Sequence, residues 1–418
     1  MWKPVRVVSA NFLERIGEPE SRFHSDYLAH RNGDVPQAEL ITRLPHVAMI
    51  GDSVCTGVYV SSPSSTFWRA RTCCGNSWFL DTNPAPLGIH SVSKRLEELT
   101  PFVAIECAGI GALVDHESER QNFLRRILRT RNFSGQIGDL LVMKRFPDLI
   151  LISIGHNNVD WAWRSPTSDL EQPESRLQRQ SRDFRKNFTR QMRRLIDRAR
   201  VRRYRVAVIV YGLINFESYF IGREIAERLR SQDPSRYLHL ETTYKYFTSF
   251  RPAYRSNLIR LARMVNKELR DMVRELNRGL AGATGLHLQY SDALATADLS
   301  RVELLHPIDA WHASVQGHNV LAEAAFRDLG LSLEFLGLNR PLNKMTARTE
   351  RRALPRPDGI VGASGRAGNP LHAASVSLNK IDDYKSPRCF SRSIVSPNMR
   401  WPKWPWRTRN NSDPRHFC

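Results

Sequence analysis

The chain has 418 residues, with 62 Lys and Arg against 42 Asp and Glu, a formal charge of +20 and a hydrophobic share of 41%. That share is enough to bury a core and excludes wholesale disorder, while no apolar run approaches the ~18 residues needed to span a bilayer. The charge is local: residues 176–205 hold 13 Lys and Arg and 2 Asp and Glu, residues 341–418 hold 15 and 5, and the rest of the chain is nearly neutral.

Residues 1–20 carry charges throughout and lack the apolar centre of a signal peptide, so a cytoplasmic, non-exported protein is expected. The six cysteines (Cys55, Cys73, Cys74, Cys107, Cys389, Cys418) match neither a zinc spacing nor a disulfide framework, and they read as reduced.

In chain order, 1–45 is polar and mixed and reads as an N-terminal extension. From His46 onward, short apolar runs at 46–50, 102–107, 149–154, 206–213 and 286–290 have the length and β-branched content of buried strands. Helical patterns lie between and after them, at 92–99, 117–131, 176–203, 255–278 and 313–328. Strands alternating with helices predict an α/β fold with a mostly parallel sheet of about five strands, covered on both faces. One domain over 46–340 is expected. The remainder, 341–418, rich in Pro, Gly, Ser and Arg, is expected to be a basic disordered tail.

In 176–205, Phe184, Phe188, Leu195 and Ala199 recur at helical spacing with arginines on the other faces. That pattern is a solvated basic face of an amphipathic helix or, with the tail, a weak contact for polyanions or anionic membrane.

In parallel sheets, ligands bind beyond the carboxyl ends of the strands. Four short pieces lie there. Behind the first strand comes Gly51-Asp52-Ser53-Val54-Cys55-Thr56-Gly57, where Ser53 is either a helix cap or a hydroxyl presented above the sheet. It is neither the Gly-x-Ser-x-Gly elbow nor a phosphate loop, because Cys55 replaces the second glycine and the Gly-Lys ending is absent. Behind the second strand comes Ala108-Gly109-Ile110-Gly111, a tight turn or a backbone donor. Gly155-His156-Asn157-Asn158 follows the third strand, and there an Asn amide either closes a turn or aims N–H donors at a developing oxyanion.

Far along lies His306-Pro307-Ile308-Asp309-Ala310-Trp311-His312-Ala313-Ser314, before an amphipathic helix. Asp309 and His312, three apart, suit a base held in one tautomer by a carboxylate, or a capped helix start. His306, His312 and His318, six apart, do not share one helical face, so no metal is expected, and no cofactor motif is present.

Taken in this order, the four pieces resemble the SGNH (GDSL-type) hydrolase superfamily over roughly 46–336. The resemblance implies a flavodoxin-like three-layer α/β/α fold and hydrolysis of carboxylic esters of small-molecule, lipid or carbohydrate substrates. It matches Ser53 to the nucleophile, Gly109 and Asn157, with the Ser53 N–H, to the oxyanion hole, and His312 with Asp309 to the base and its orienting acid. An acyl transferase would use the same residues, and a non-catalytic scaffold binding polyanions is the rival. There are two departures from the family pattern. Asn158 stands where Asp is usual, and Cys107 where the family has Asn. Asp52 is implied to be a structural turn residue. Trp161 and Trp163, just after the Asn, are aromatic walls of the site or ordinary core.

Overall fold

The computed structural model describes residues 4–9, 11–57, 60, 76–81, 88–114, 131–164, 172–201, 205–235, 252–280 and 285–338. The tail 341–418 and all but the last residue of the helix expected over 117–131 lie outside them, as do Cys73, Cys74, Cys389 and Cys418. Every described element belongs to one unit, Met1–Pro355.

Six strands form one sheet: β1 (Val5–Val8), β2 (His46–Gly51), β3 (Val103–Glu106), β4 (Leu149–Ser153), β5 (Val206–Tyr211) and β6 (Leu286–Ser291), in the order β1-β3-β2-β4-β5-β6. Each of the last five pairs in parallel with its neighbours among them, in registers such as Ala48 opposite Ile150 and Val208 opposite Leu288. β4 and β5 are buried at every residue, which is why they read as unbroken apolar runs rather than alternating ones. From β2 the chain moves to one side for β3 and returns to the other side for β4. This reversal makes the crevice beyond the ends of β2 and β4 the topological switch point, where doubly wound sheets bind their ligands.

The segment read as an N-terminal extension is part of the body. β1 pairs antiparallel with β3, Val5 opposite Glu106, and supplies the sixth strand. Helices α1 (Phe12–Ile16), α2 (His24–Arg31) and α3 (Gln37–Arg43) follow, and Phe12, Ile16, Leu40 and Leu44 join the core. These elements escape sequence reading because four to eight residues are too few to display a period, and Arg6 interrupts β1.

The other main helices are α4 (Val92–Glu97), α5 (Phe133–Leu141), α6 (His156–Arg164), α7 (Pro173–Arg200), α8 (Phe216–Gln232) and α9 (Pro252–Arg278). They are followed by α10 (Ala293–Thr296), α11 (Val315–Arg327) and α12 (Gly330–Phe335). The basic helix is α7. Phe184, Phe188, Leu195 and Ala199 are all buried, and Phe188 stacks on Phe133 at 4.7 Å between ring centroids. Its charge is partly answered within the fold, since Arg185 pairs with Glu268 and, at 2.6 Å, with Glu275 on α9. Arg182, Lys186, Arg190 and Arg193 face solvent. Among the described residues, no helix is long and apolar enough to cross a membrane.

Candidate active site

β2 ends at Gly51, and the next residues close a 3-10 turn, Ser53–Cys55, capped by Asp52, whose Oδ1 accepts from the Val54 N–H at 3.1 Å. Ser53 is buried at the base of this turn. The peptide just before it is held from the side by Gln136 of α5. The Gln136 Oε1 accepts from the Gly51 N–H at 2.9 Å and its Nε2 donates to the Gly51 carbonyl at 2.9 Å. A buried side-chain amide thus adds to the backbone bonding of the strand end.

Asp52 is fully buried, and its carboxylate joins the first turn to the third. Oδ2 accepts from the N–H groups of Gly155 (3.2 Å) and His156 (3.1 Å) at the start of α6, and from His156 Nδ1 at 2.9 Å. The other ring nitrogen of His156, Nε2, accepts from the Ile214 N–H at 3.2 Å. The ring therefore carries its hydrogen on Nδ1 and its lone pair on Nε2, set by the network. Three loops, behind β2, β4 and β5, are locked together by one Asp–His pair. Asp52 has the structural role the resemblance implies. Sequence reading gives His156 no role, because the Asn beside it carries the stronger signal; a His next to a strand-end Gly is the available sign.

Gly155 adopts φ +127°, and a Cβ there would lie 2.7 Å from the Phe184 ring, so this corner requires glycine. The Asn157 Nδ2 donates to the Ala112 carbonyl at 3.1 Å, and Asn158 Oδ1 accepts from the Val114 N–H at 3.0 Å. Asn158, standing where Asp is usual, thus keeps an acceptor toward the second loop. Cys107 is fully buried, so packing replaces the hydrogen bond of an Asn.

The Gly109 N–H, expected to face an oxyanion, is engaged within the sheet. It donates to the Gly51 carbonyl at 3.1 Å, extending the β2–β3 ladder one step past the bond from Cys107 N–H to Met49 O. Two residues on, Gly111 sits at φ +73° with open space around it, and its N–H has no partner among the described residues.

In the last piece, Asp309 Oδ2 accepts from His312 Nδ1 at 2.7 Å, while Oδ1 takes the N–H groups of Trp311 (3.0 Å) and His312 (3.1 Å). Burial pushes the Asp309 carboxyl up, but the His312 ring, His306 and the Trp311 N–H outweigh it and hold the group below the usual carboxylate range. His306 closes the loop on itself, its N–H donating to the His312 carbonyl at 2.8 Å. His318 is buried, accepts from the Trp78 N–H at 3.1 Å, and is pushed down to about 3 by burial, which makes it a neutral structural residue. Among the described residues no group of three His, Cys, Asp or Glu side chains is placed to hold a metal.

The structure therefore links the turn bearing Ser53, through Asp52, to the start of α6, and Asn157 to the second loop, and it forms the Asp309–His312 pair. Ring contacts connect the two sets: His156 to Phe216 at 6.2 Å and Phe216 to Trp311 at 6.4 Å. No hydrogen bond joins the Ser53 hydroxyl to His312 among the described residues. The side chains of Trp161 and Trp163 lie outside the described set.

The sequence model of the GDSL-like lipase/acylhydrolase family matches residues 47–325. No curated protein sequence matches the chain. Among solved structures, the chain is similar to an extracellular lipase from Streptomyces rimosus, at 14% identity and TM-score 0.37, covering 69% of this chain and 99% of that one. It is similar to the lipase Lip_vut3 from a goat rumen metagenome at 15% identity and TM-score 0.36, covering 68% and 97%. A phospholipase A1 from Streptomyces albidoflavus NA297 matches at 13% identity and TM-score 0.36, covering 68% and 98%.

Proposed function

The chain belongs to the GDSL-like lipase/acylhydrolase family, and from that membership we propose that it is a serine esterase working through an acyl-enzyme intermediate. Ser53 is the nucleophile, His312 the base and Asp309 its orienting acid. The single observation that carries this reading is the Asp309–His312 contact of 2.7 Å, with two backbone N–H groups fixing the carboxylate. A donor on Nδ1 leaves Nε2 as the lone pair that takes a proton.

In the first step His312 removes the Ser53 proton as Oγ attacks the ester carbonyl, and Asp309 stabilises the imidazolium. The oxyanion is held by the Ser53 N–H, the Asn157 amide and, in place of Gly109, the N–H of Gly111, which has no partner among the described residues. His312 then protonates the leaving alcohol, and water releases the acyl group. The substrate is a carboxylic ester of a small molecule, lipid or carbohydrate.

The experiment is labelling with a fluorophosphonate probe followed by peptide mapping. Modification of Ser53 in the folded protein, absent in Ser53→Ala, is expected. Folded protein that reacts nowhere would favour a non-catalytic scaffold. A p-nitrophenyl ester panel with added alcohols separates hydrolysis from acyl transfer.

A further inference from the structure

The loop that carries Asp309 and His312 contains a strained residue. Ala310, between them, has φ +47°, in the left-handed region that a non-glycine residue occupies only where its surroundings hold it there. Its side chain is fully buried. What holds its carbonyl is Tyr219 of α8, whose hydroxyl donates at 2.8 Å. Tyr219 is itself buried, and burial pushes its phenol up, so it keeps the proton it donates. Its oxygen in turn accepts from Arg223 Nη1 at 3.3 Å, and Arg223 Nε donates to Glu227 Oε1 at 3.1 Å.

Tyr219, Arg223 and Glu227 stand four residues apart and so share one face of α8. Arg223 is 2% exposed, an unusual place for a cation, and Glu227 at its outer end reaches solvent. The same stretch of α8 packs on the loop edge-to-face, with the Tyr219 and Trp311 rings 5.4 Å apart.

We propose that Tyr219 and Arg223 are positioning residues for the Asp309–His312 pair, the phenol hydroxyl clamping the Ala310 carbonyl and the buried guanidinium polarising that hydroxyl. The proposal rests on the reading of Ser53 as nucleophile and His312 as base. A cation on the phenol oxygen makes its O–H a stronger donor, and such charge-assisted chains exceed the sum of their links. The clamp keeps the turn left-handed, and the turn sets the His312 ring against Asp309. If the clamp opens, Ala310 relaxes toward ordinary φ and His312 drifts from the geometry needed to deprotonate Ser53. Displacements of about 1 Å are enough to lower turnover by ~10²-fold.

The test compares Tyr219→Phe, Arg223→Met, the double variant, and Tyr219→Phe combined with Ala310→Gly. It reads the rate of fluorophosphonate labelling at Ser53 and, separately, kcat and KM on a p-nitrophenyl ester. Tyr219→Phe is expected to slow labelling and kcat by ~10-fold or more with KM within about twofold, a split that marks loss of transition-state geometry. Arg223→Met should slow both by about threefold. Because Arg223 acts through Tyr219, the double variant should match Tyr219→Phe within about twofold. Glycine takes the left-handed conformation without strain, so Ala310→Gly should restore about threefold of the loss.

A folded Tyr219→Phe labelled at the wild-type rate would overturn the proposal, as would losses that multiply in the double variant. Should Tyr219→Phe not fold, Arg223→Met, which keeps the phenol, decides alone: wild-type rates there overturn it equally. Wild-type protein that is not labelled at Ser53 instead overturns the esterase reading beneath it.

Discussion

Asp52 and His156, 104 positions apart, form a buried pair in which the carboxylate takes the ring Nδ1 hydrogen at 2.9 Å while the ring Nε2 takes the N–H of Ile214. Because Asp52 also accepts from two N–H groups at the start of α6, it ties the turn bearing Ser53 to the helix bearing Asn157. Asp52→Asn replaces an acceptor by an amide facing donors. It is expected to cost ~3 kcal/mol in urea unfolding. His156→Phe keeps a planar ring but removes the ring partner of the carboxylate and orphans the Ile214 N–H, and should cost a similar amount. Wild-type unfolding midpoints for both would show that the pair does not hold the loops together.

The proposed nucleophile and base predict large, one-sided losses. Ser53→Ala and His312→Ala should each lower turnover by at least ~10³-fold with the fold intact by circular dichroism. Asp309→Asn keeps the shape of the pair but allows the wrong tautomer, with an expected loss of about 10²–10⁴-fold. Steady-state rates on any accepted ester measure this, and near-normal turnover in either alanine variant contradicts the assignment.

Asn157→Ala removes the amide that reaches the second loop and the proposed oxyanion. A loss of ~10²–10³-fold in kcat with little change in KM is expected, as for removal of one such donor. A change confined to KM would place Asn157 in substrate binding instead.

Glu106 predicts a pH effect opposite to that of the core histidines. Neither of its carboxyl oxygens has a hydrogen-bond partner among the described residues, and burial pushes its pKa up to about 8. A carboxyl raised in the folded state stabilises fully below its unfolded value near 4.5, and that contribution is lost as pH rises through about 8. His318, lowered to about 3 by burial, works the other way: its contribution is present above 6.5 and is lost as pH falls toward 3. Urea titrations of wild type and Glu106→Gln from pH 5 to 9 should show a decline in the wild type that the variant lacks. Parallel curves would mean that Glu106 does not titrate in this range.

The five parallel strands and the four strand-end motifs were legible because both signals are local. A fully buried strand needs an unbroken run such as 149–153, and a strand-end site needs Gly, Ser or Asn within a few residues of it. The identity of hydrogen-bond partners is not local. Gly109 and Gly111 look alike in sequence, yet the register of β3 against β2 commits the first N–H to Gly51 and leaves the second without a partner among the described residues. His156 gained a role only because the loops behind β2 and β5 arrive at its two ring nitrogens.

The net charge of +20, the two basic segments and the order of the motifs were properties of the sequence by itself. Tertiary structure decided that residues before His46 complete the sheet, that Arg185 of the basic helix is answered by Glu268 and Glu275, and that a helix with no motif of its own clamps the loop bearing His312. The physical reason is the same in each case. Burial and hydrogen bonding are settled by which distant segments meet, and composition and spacing do not contain that information.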